Sequence, residues 1–522
     1  MERVAAHSTS RVFKPWTRWL VVAVTGLAVL LRLWGITFGL PYLYHPDEAV
    51  NMFASLGIFR HGDLNPHYFN YPSLFFYVHA LSYVPFYGVG KLLGVFLSAS
   101  DIPAPLLFGS GVGRTDLPSL FVLGRGLTAA FGSASVVLLY LAARRLTSDV
   151  VIALLAALML ALSPTNVEHS RFIIPETILV FFIVLSFWAS VLVLQRGATL
   201  DYLLAGMACG LAASTKYNGG VILVLPIAAH FLRTGLSGWK ERNIYLALLM
   251  SGVAFLAASP FTLLDYRKFV SDFRYVGGHY RGGHEGSEGN AALWYASYLV
   301  RVEGPLVILA VLESVRGIRN RTPSAPLVAV FPAAYFLLIS GFAFRNARTA
   351  LPLTPFLFVL ASSFLANLFK PGNRENRQNS RMRIGVAGAL TAVCLAVPLI
   401  QTVKQAVTLT TVDSRETARV WIDRNLPPGS RIALEAYSPF VDPQRFSVQG
   451  VSRIIDQTPE WYAAKGFDYV VLAENMFGRY YREPQKYARQ VSAYEDFFRA
   501  VSMEKMFYDG GYEVRVYRIP KR

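Results

Sequence analysis

Runs of about twenty apolar residues recur along most of this chain, and a lipid bilayer is the solvent that accommodates so many of them. They fall near 17–37, 119–142, 148–163, 173–194, 200–215, 219–234, 244–263, 291–315, 324–343, 350–369 and 384–404. Of the 522 residues, 53% are hydrophobic and 16% are charged, against about 25% charged in soluble domains. The first run is no cleaved signal peptide: it carries Arg32, lacks a small-residue cleavage site and is followed by many others. The expected fold is an α-helical polytopic membrane protein of about 11 spans.

The formal net charge of +17 belongs with that fold. Basic residues crowd cytoplasmic loops and hold topology, and there is no basic face with aromatic platforms for nucleic acid. Both cysteines, Cys209 and Cys394, lie inside apolar runs and suggest no disulfide, metal site or nucleophile. Segment 71–98 is apolar but holds Pro72, Pro85, three glycines and Lys91. If it does not cross, Arg3, Arg11, Lys14, Arg18, Arg144, Arg145, Arg196, Lys240, Arg242, Arg316, Arg319, Arg321 and the basic cluster 370–383 all share the N-terminal face. If it crosses, Arg144, Arg145 and that cluster change sides. The positive-inside rule selects the first arrangement, so 71–98 reads as a re-entrant or interfacial helix.

The opposite face then gathers a different set. A first outer loop, 38–118, carries Asp47 and Glu48; later turns carry His169-Ser170-Arg171, Glu176 and Lys216-Tyr217-Asn218. The polar loop 264–290 adds His279, His284 and Glu285, and Arg345 and Arg348 follow. A carboxylate at a membrane surface either stays solvated in a cavity or takes up a proton, and both suit acid–base chemistry on a lipid-borne substrate. The bland reading of Asp47 is a helix cap, because it opens the helical run 48–59.

Residues 1–404 read as the membrane part and 405–522 as a small C-terminal α/β extracytoplasmic domain. Its helices are expected near 417–425, 459–465 and 485–505, with strands near 431–435, 466–472 and 512–517. It shows no nucleophile elbow, phosphate loop or metal spacing. It is expected to pack over the site, to contact an acceptor or to serve stability alone.

The order of these features resembles the membrane-embedded GT-C glycosyltransferases, in particular relatives of the aminoarabinose transferase and the protein mannosyltransferases. Asp47-Glu48 just after the first span is similar to that family's first-loop acids. Gly62-Asp-Leu-Asn-Pro66 with Tyr71-Pro72-Ser-Leu, Ser170-Arg171-Phe-Ile-Ile-Pro-Glu176, Ser214-Thr-Lys216-Tyr-Asn218 and Arg348-Thr-Ala-Leu-Pro352-Leu-Thr-Pro355 look like its later motifs. One departure is Glu176, where the family usually has Asp. The resemblance implies inverting transfer of a sugar from a polyprenyl-phosphate-linked donor to a lipid, glycan or protein acceptor at the outer face of the cell (inner) membrane.

On that resemblance, Asp47 is the expected general base, with Glu48 and Glu176 as further catalytic carboxylates. Glu48 equally suits a first-turn helix acid. Lys216, Arg345 and Arg348 are expected at the donor phosphate, the alternative being basic side chains snorkelling at helix ends. His45 would tune Asp47 or cap the loop, and Arg171 would hold Glu176 or Asp47. His279, His284 and Glu285, with His45, could contact the acceptor or bind a divalent metal cation, although the glycine-rich spacing of 277–286 fits an acceptor-contacting loop better than a zinc motif. Arg32, inside the first run, should pair with a carboxylate or snorkel. The competing reading is a multi-pass transporter or flippase of a lipid-linked or anionic substrate. It would place charged, broken segments at mid-membrane in paired repeats, and no internal repeat is present.

Overall fold

The structure is a computed structural model that describes residues 15–108, 112–283, 285–322, 324–370 and 377–520. Its helices are α1 (Pro15–Leu33), α2 (Pro46–His61), α3 (Leu74–Leu92), α4 (Pro118–Thr147), α5 (Val150–Leu162), α6 (Pro164–His169), α7 (Pro175–Gln195), α8 (Thr199–Thr215), α9 (Val224–Thr234), α10 (Arg242–Ala258), α11 (Phe261–Leu264) and α12 (Tyr266–Gly282). They continue with α13 (Ala291–Glu303), α14 (Leu306–Arg319), α15 (Ser324–Ser340), α16 (Thr354–Leu368) and α17 (Arg377–Thr408). α7 is the hub. It packs on α4, α8 and α9 and buries most of its length, whereas α1 and α17 leave most of theirs uncovered, as lipid-facing helices do.

Among the described residues, five helices are long and apolar enough to cross a bilayer: Trp16–Leu33, Pro118–Thr147, Pro175–Gln195, Ala347–Leu368 and Arg381–Thr408. This corrects the expected eleven. The other apolar runs are shortened or broken. Val150–Leu162, Arg242–Ala258 and Ser324–Ser340 stop at 17 residues or fewer. The run 219–234 begins as a 3₁₀ turn over Tyr217–Leu223. The run 291–315 divides at Gly304, whose φ of +70° lets the chain turn against Val397, where a Cβ would stand 2.9 Å from that side chain. α3 is not among the five.

The first loop carries α2, α3 and a small antiparallel sheet in the order β1 (Tyr42–Leu43), β3 (Val112–Arg114), β2 (Leu106–Phe108). After α17 the chain forms a five-stranded sheet, β5 (Ser447–Val451), β4 (Arg431–Glu435), β6 (Tyr469–Ala473), β8 (Val514–Arg518), β7 (Ser502–Phe507). β4 runs parallel to β5 and β6; β8 is antiparallel to β6 and β7. β6 is buried at every position. One face packs on α18 (Ser414–Asn425) through Ala418 and Ile422. The other packs on α19 (Pro459–Ala464), α20 (Glu474–Tyr481) and α21 (Ala488–Ala500) through Tyr462, Phe477 and Tyr494. The helix expected over 485–505 ends at Ala500, because Ser502–Phe507 pairs with β8 as an edge strand instead.

Candidate active site

Adjacent on α2, Asp47 and Glu48 point to different faces, since successive residues of an α-helix are turned by roughly 100°. Pro46 occupies the first helical turn behind an extended His45, and both acids lie in that turn, where the helix dipole favours them. Glu48 shares the buried face with Asn51, Met52 and Ser55. It is fully buried, and Arg125 of α4 forks onto it at 2.9 and 2.8 Å. The Ile173 N–H also donates to it at 3.0 Å, while Arg125 caps the Ile36 and Phe38 carbonyls at 2.7 and 2.9 Å. Glu48 is therefore an anchor between the first loop, α4 and the turn before α7. The structure does not bring it to Asp47's partners.

Asp47 meets Arg348, which lies in the 3₁₀ turn Ala347–Leu353 that leads into α16. Arg348 Nε lies 3.3 Å from Glu176 Oε1, and Lys216 Nζ lies 2.6 Å from the same oxygen. Each residue stands at a helix end. Glu176 is in the first turn of α7 behind Pro175, and Lys216 caps the C-terminus of α8. Side-chain exposure rises from 1% at Glu176 and 7% at Lys216 to 17% at Arg348 and 32% at Asp47, so the group runs from the interior to an open mouth. Tyr71 lies beneath Lys216, with the ammonium 5.8 Å from its ring centre.

Two acids and two cations balance in charge, yet the hydrogen bonding is incomplete. Glu176 Oε2, Asn218 Oδ1 and His45 Nδ1 are buried with no partner among the described residues. Buried polar atoms are nearly always satisfied, so such a cluster is where a polar ligand would be expected. Burial pushes the Asp47 carboxyl up, but Arg348, His45 and Lys216 outweigh it and hold it below its ordinary value. Burial also pushes the His45 imidazole down.

Other expected residues lie elsewhere. Arg171 touches neither Glu176 nor Asp47; it caps the end of α1, with Nη2 2.7 Å from the Leu31 carbonyl. Arg32 likewise finds carbonyls, those of Ala28, Leu160 and Ala161, and no carboxylate among the described residues. Both arginines satisfy the free C=O groups at a helix terminus. Arg345 donates to the Ser287 and Glu288 carbonyls and lies 3.5 Å from Glu483, outside the Asp47 group. Glu285 accepts from Arg453 at 2.6 Å and from Tyr480 at 2.8 Å, both on the C-terminal sheet domain. His279, on α12, packs on Phe344 with ring centres 4.7 Å apart, and burial and Arg348 both push its imidazole down. His284 lies outside the described residues. Sequence reasoning missed Arg125, although a lone arginine inside an apolar run is itself a signal that a buried partner exists.

Among the described residues no three His, Cys, Asp or Glu side chains come together as a metal site. Asp47, Glu48 and Glu176 are each engaged by a cation, and Glu285 is drawn away to Arg453.

Residues 90–274 match the sequence family described as dolichyl-phosphate-mannose-protein mannosyltransferase. That stretch holds Glu176 and Lys216 but neither Asp47 nor Arg348. No curated protein matches the chain by sequence. Among solved structures, the apo oligosaccharyltransferase of Archaeoglobus fulgidus is similar with a TM-score of 0.57 at 14% identity, over 98% of this chain and 75% of that one. ArnT of Cupriavidus metallidurans bound to undecaprenyl phosphate is similar with a TM-score of 0.55 at 15% identity, over 96% of this chain and 98% of that one. The Archaeoglobus fulgidus enzyme AglB, in complex with an inhibitory peptide and a dolichol-phosphate, gives 0.56 at 13%, over 97% and 74%. The fold is thus shared with these structures over nearly the whole chain, a multi-pass helical membrane part followed by a sheet-containing domain.

Proposed function

We propose that this chain is an integral membrane glycosyltransferase that moves a sugar from a polyprenyl-phosphate-linked donor to a hydroxyl of a lipid, glycan or protein acceptor, with inversion. The observation that carries this reading is the Asp47–Arg348–Glu176–Lys216 group, built from helix ends that meet at one level. The C-terminus of α8 meets the N-termini of α7 and α16 there, which supports a topology in which these ends share the extracytoplasmic side. On the same reading α3 stays at the interface.

Arg348 neutralises Asp47 in the structure. A donor phosphate competes for that guanidinium, which forks onto phosphate oxygens. Once Arg348 turns to the phosphate, Asp47 loses the cation that lowers its proton affinity while keeping its partial burial, which raises it. The acceptor oxygen then attacks the sugar C1. Its proton passes to Asp47, the new C1–O bond forms, and the bond from C1 to the phosphate oxygen breaks with its electron pair leaving on the polyprenyl phosphate. Lys216 and Arg348 meet the added negative charge, and Glu176 holds both cations in place. A single displacement inverts the anomeric carbon.

The test is transfer of radiolabelled sugar from polyprenyl-phosphate donors in purified membranes, comparing wild type with Asp47→Asn. Wild type should transfer label, and the variant should lose activity by ~10²-fold or more. Equal transfer by both would remove Asp47 from the chemistry. Movement of lipid-linked substrate across the membrane without transfer from any donor would replace the enzyme reading with transport.

A further inference from the structure

The C-terminal domain touches the chain at two places with the same relation to the Asp47–Arg348 pair. Tyr44 lies three residues before Asp47, and Arg345 lies three residues before Arg348. On the first arm, Arg415 of α18 is almost fully buried. Its guanidinium forks onto Asp413 at 2.8 and 2.8 Å, donates to the Tyr44 carbonyl at 3.2 Å and stacks 4.2 Å from the Tyr44 ring centre. The Tyr44 hydroxyl donates to Glu416 at 3.3 Å, and Arg419 lies 4.5 Å over the Tyr42 ring. Only His45 and Pro46 separate this grip from Asp47, and proline fixes one of the intervening backbone angles.

On the second arm, Arg453 and Tyr480 hold Glu285, Tyr487 accepts the Gly286 N–H at 2.9 Å, and Lys486 Nζ lies 2.6 Å from Glu288. Gly286 allows this approach, since at its φ of +79° a Cβ would stand 2.6 Å from Arg479. The Ser287 and Glu288 carbonyls in turn take the Arg345 guanidinium. Each charge of the pair is thus tethered, a few bonds upstream, to one domain.

We propose that the C-terminal domain is a positioning element for the Asp47–Arg348 pair, acting through Arg415 on one arm and Arg453 on the other. The claim rests on the transferase reading above. It replaces a purely stabilising role for the domain with a geometric one. A displacement of about 1 Å at reacting groups can cost as much as 10²-fold in rate, so loosening either arm acts on turnover more than on donor affinity.

The experiment measures kcat and donor KM on the purified full-length protein, per mole of folded enzyme, for Arg415→Met, Arg415→Lys, Arg453→Met, Asp47→Asn and a control, Arg499→Ala. Among the described residues Arg499 pairs only within its own helix, and it stays exposed. Arg415→Met and Arg453→Met should each lower kcat by about tenfold with donor KM changed by less than about twofold. Arg415→Lys should behave like Arg415→Met, because an ammonium cannot fork onto Asp413 and stack on Tyr44 together. The control should match wild type. Wild-type kcat in folded Arg415→Met and Arg453→Met, with only a lower unfolding temperature, would overturn the proposal. If the Arg415 variants do not fold, Arg453→Met, at a partly exposed site, decides alone. Activity kept in Asp47→Asn would overturn the site reading itself, whereas activity lost there and kept in both arm variants would overturn the positioning claim alone.

Discussion

Around Glu48 every polar contact is closed. Arg125 takes both carboxylate oxygens, the Ile173 N–H adds a third bond, and two further guanidinium hydrogens go to two carbonyls. Around Asp47 the count stays open. One arginine is shared between two acids, a glutamate oxygen and an amide oxygen nearby have no partner among the described residues, and the group reaches solvent at one end. The two carboxylates are neighbours in sequence, and the turn of one helix gives them these opposite surroundings. A closed buried ion pair stores its energy in the fold; an open one retains capacity for a ligand.

The largest effect that sharpens this contrast is at the closed pair. Arg125→Ala leaves Glu48 buried and unpaired, which should cost about 3–5 kcal/mol and deplete folded protein. The double variant Glu48→Gln/Arg125→Met should recover much of that loss in thermal unfolding. Unchanged stability in Arg125→Ala would break the distinction. At the open group, Arg348→Lys keeps the charge but cannot bridge Asp47 and Glu176, so transfer should fall by about tenfold or more with little change in unfolding temperature.

Glu435 offers a third case, in the sheet domain. Its Oε1 accepts from the Ile454 N–H at 2.9 Å and the Tyr494 hydroxyl at 2.6 Å, while Oε2 has no partner among the described residues. Burial pushes this carboxyl up to about 8, from an ordinary value of 4.5. Between those pH values the folded state holds a proton that the unfolded state has released. The stabilisation is therefore complete below about pH 4.5 and is lost as pH rises through about 8. Glu435→Gln should flatten that decline, so its unfolding temperature should exceed that of wild type at alkaline pH and approach it in acid. Parallel pH curves for the two proteins would contradict a protonated Glu435.

Smallest in effect is a test of placement. Cysteines introduced at Asp63, before α3, at Asp116, beyond it, and at Thr410, before α18, should react with the same membrane-impermeant reagent from the same side. Labelling of the Asp63 and Asp116 positions from opposite sides would mean that α3 crosses, and labelling of the Asp116 and Thr410 positions from opposite sides would break the contact between the first loop and the sheet domain.

Much of the open group was legible in the sequence. Asp47, Glu176, Lys216 and Arg348 lie far apart in the chain, but each sits where an apolar run ends, and alternating sidedness sends those ends to one face. The closed pair was not legible, because the partner of Glu48 lies 77 residues away inside an apolar run and no local pattern links them. Arg345 and Arg171 were read as site residues because charge and sidedness cannot tell a substrate contact from a carbonyl cap. The span count exceeded the long helices because hydropathy registers apolar composition and not the breaks at Gly304 and Ser259, where helices end within one run. At the tail, the strand Ser502–Phe507 continued a helical pattern, and pairing with β8 decided its conformation.

The most direct test of the contrast is sugar transfer per folded molecule in Asp47→Asn beside Glu48→Gln/Arg125→Met. Asp47→Asn should fold as wild type does and lose ~10²-fold or more of its turnover, while the folded fraction of the double variant should turn over within about tenfold of wild type. Turnover lost in the folded double variant and kept in Asp47→Asn would contradict the account and move the chemistry to Glu48.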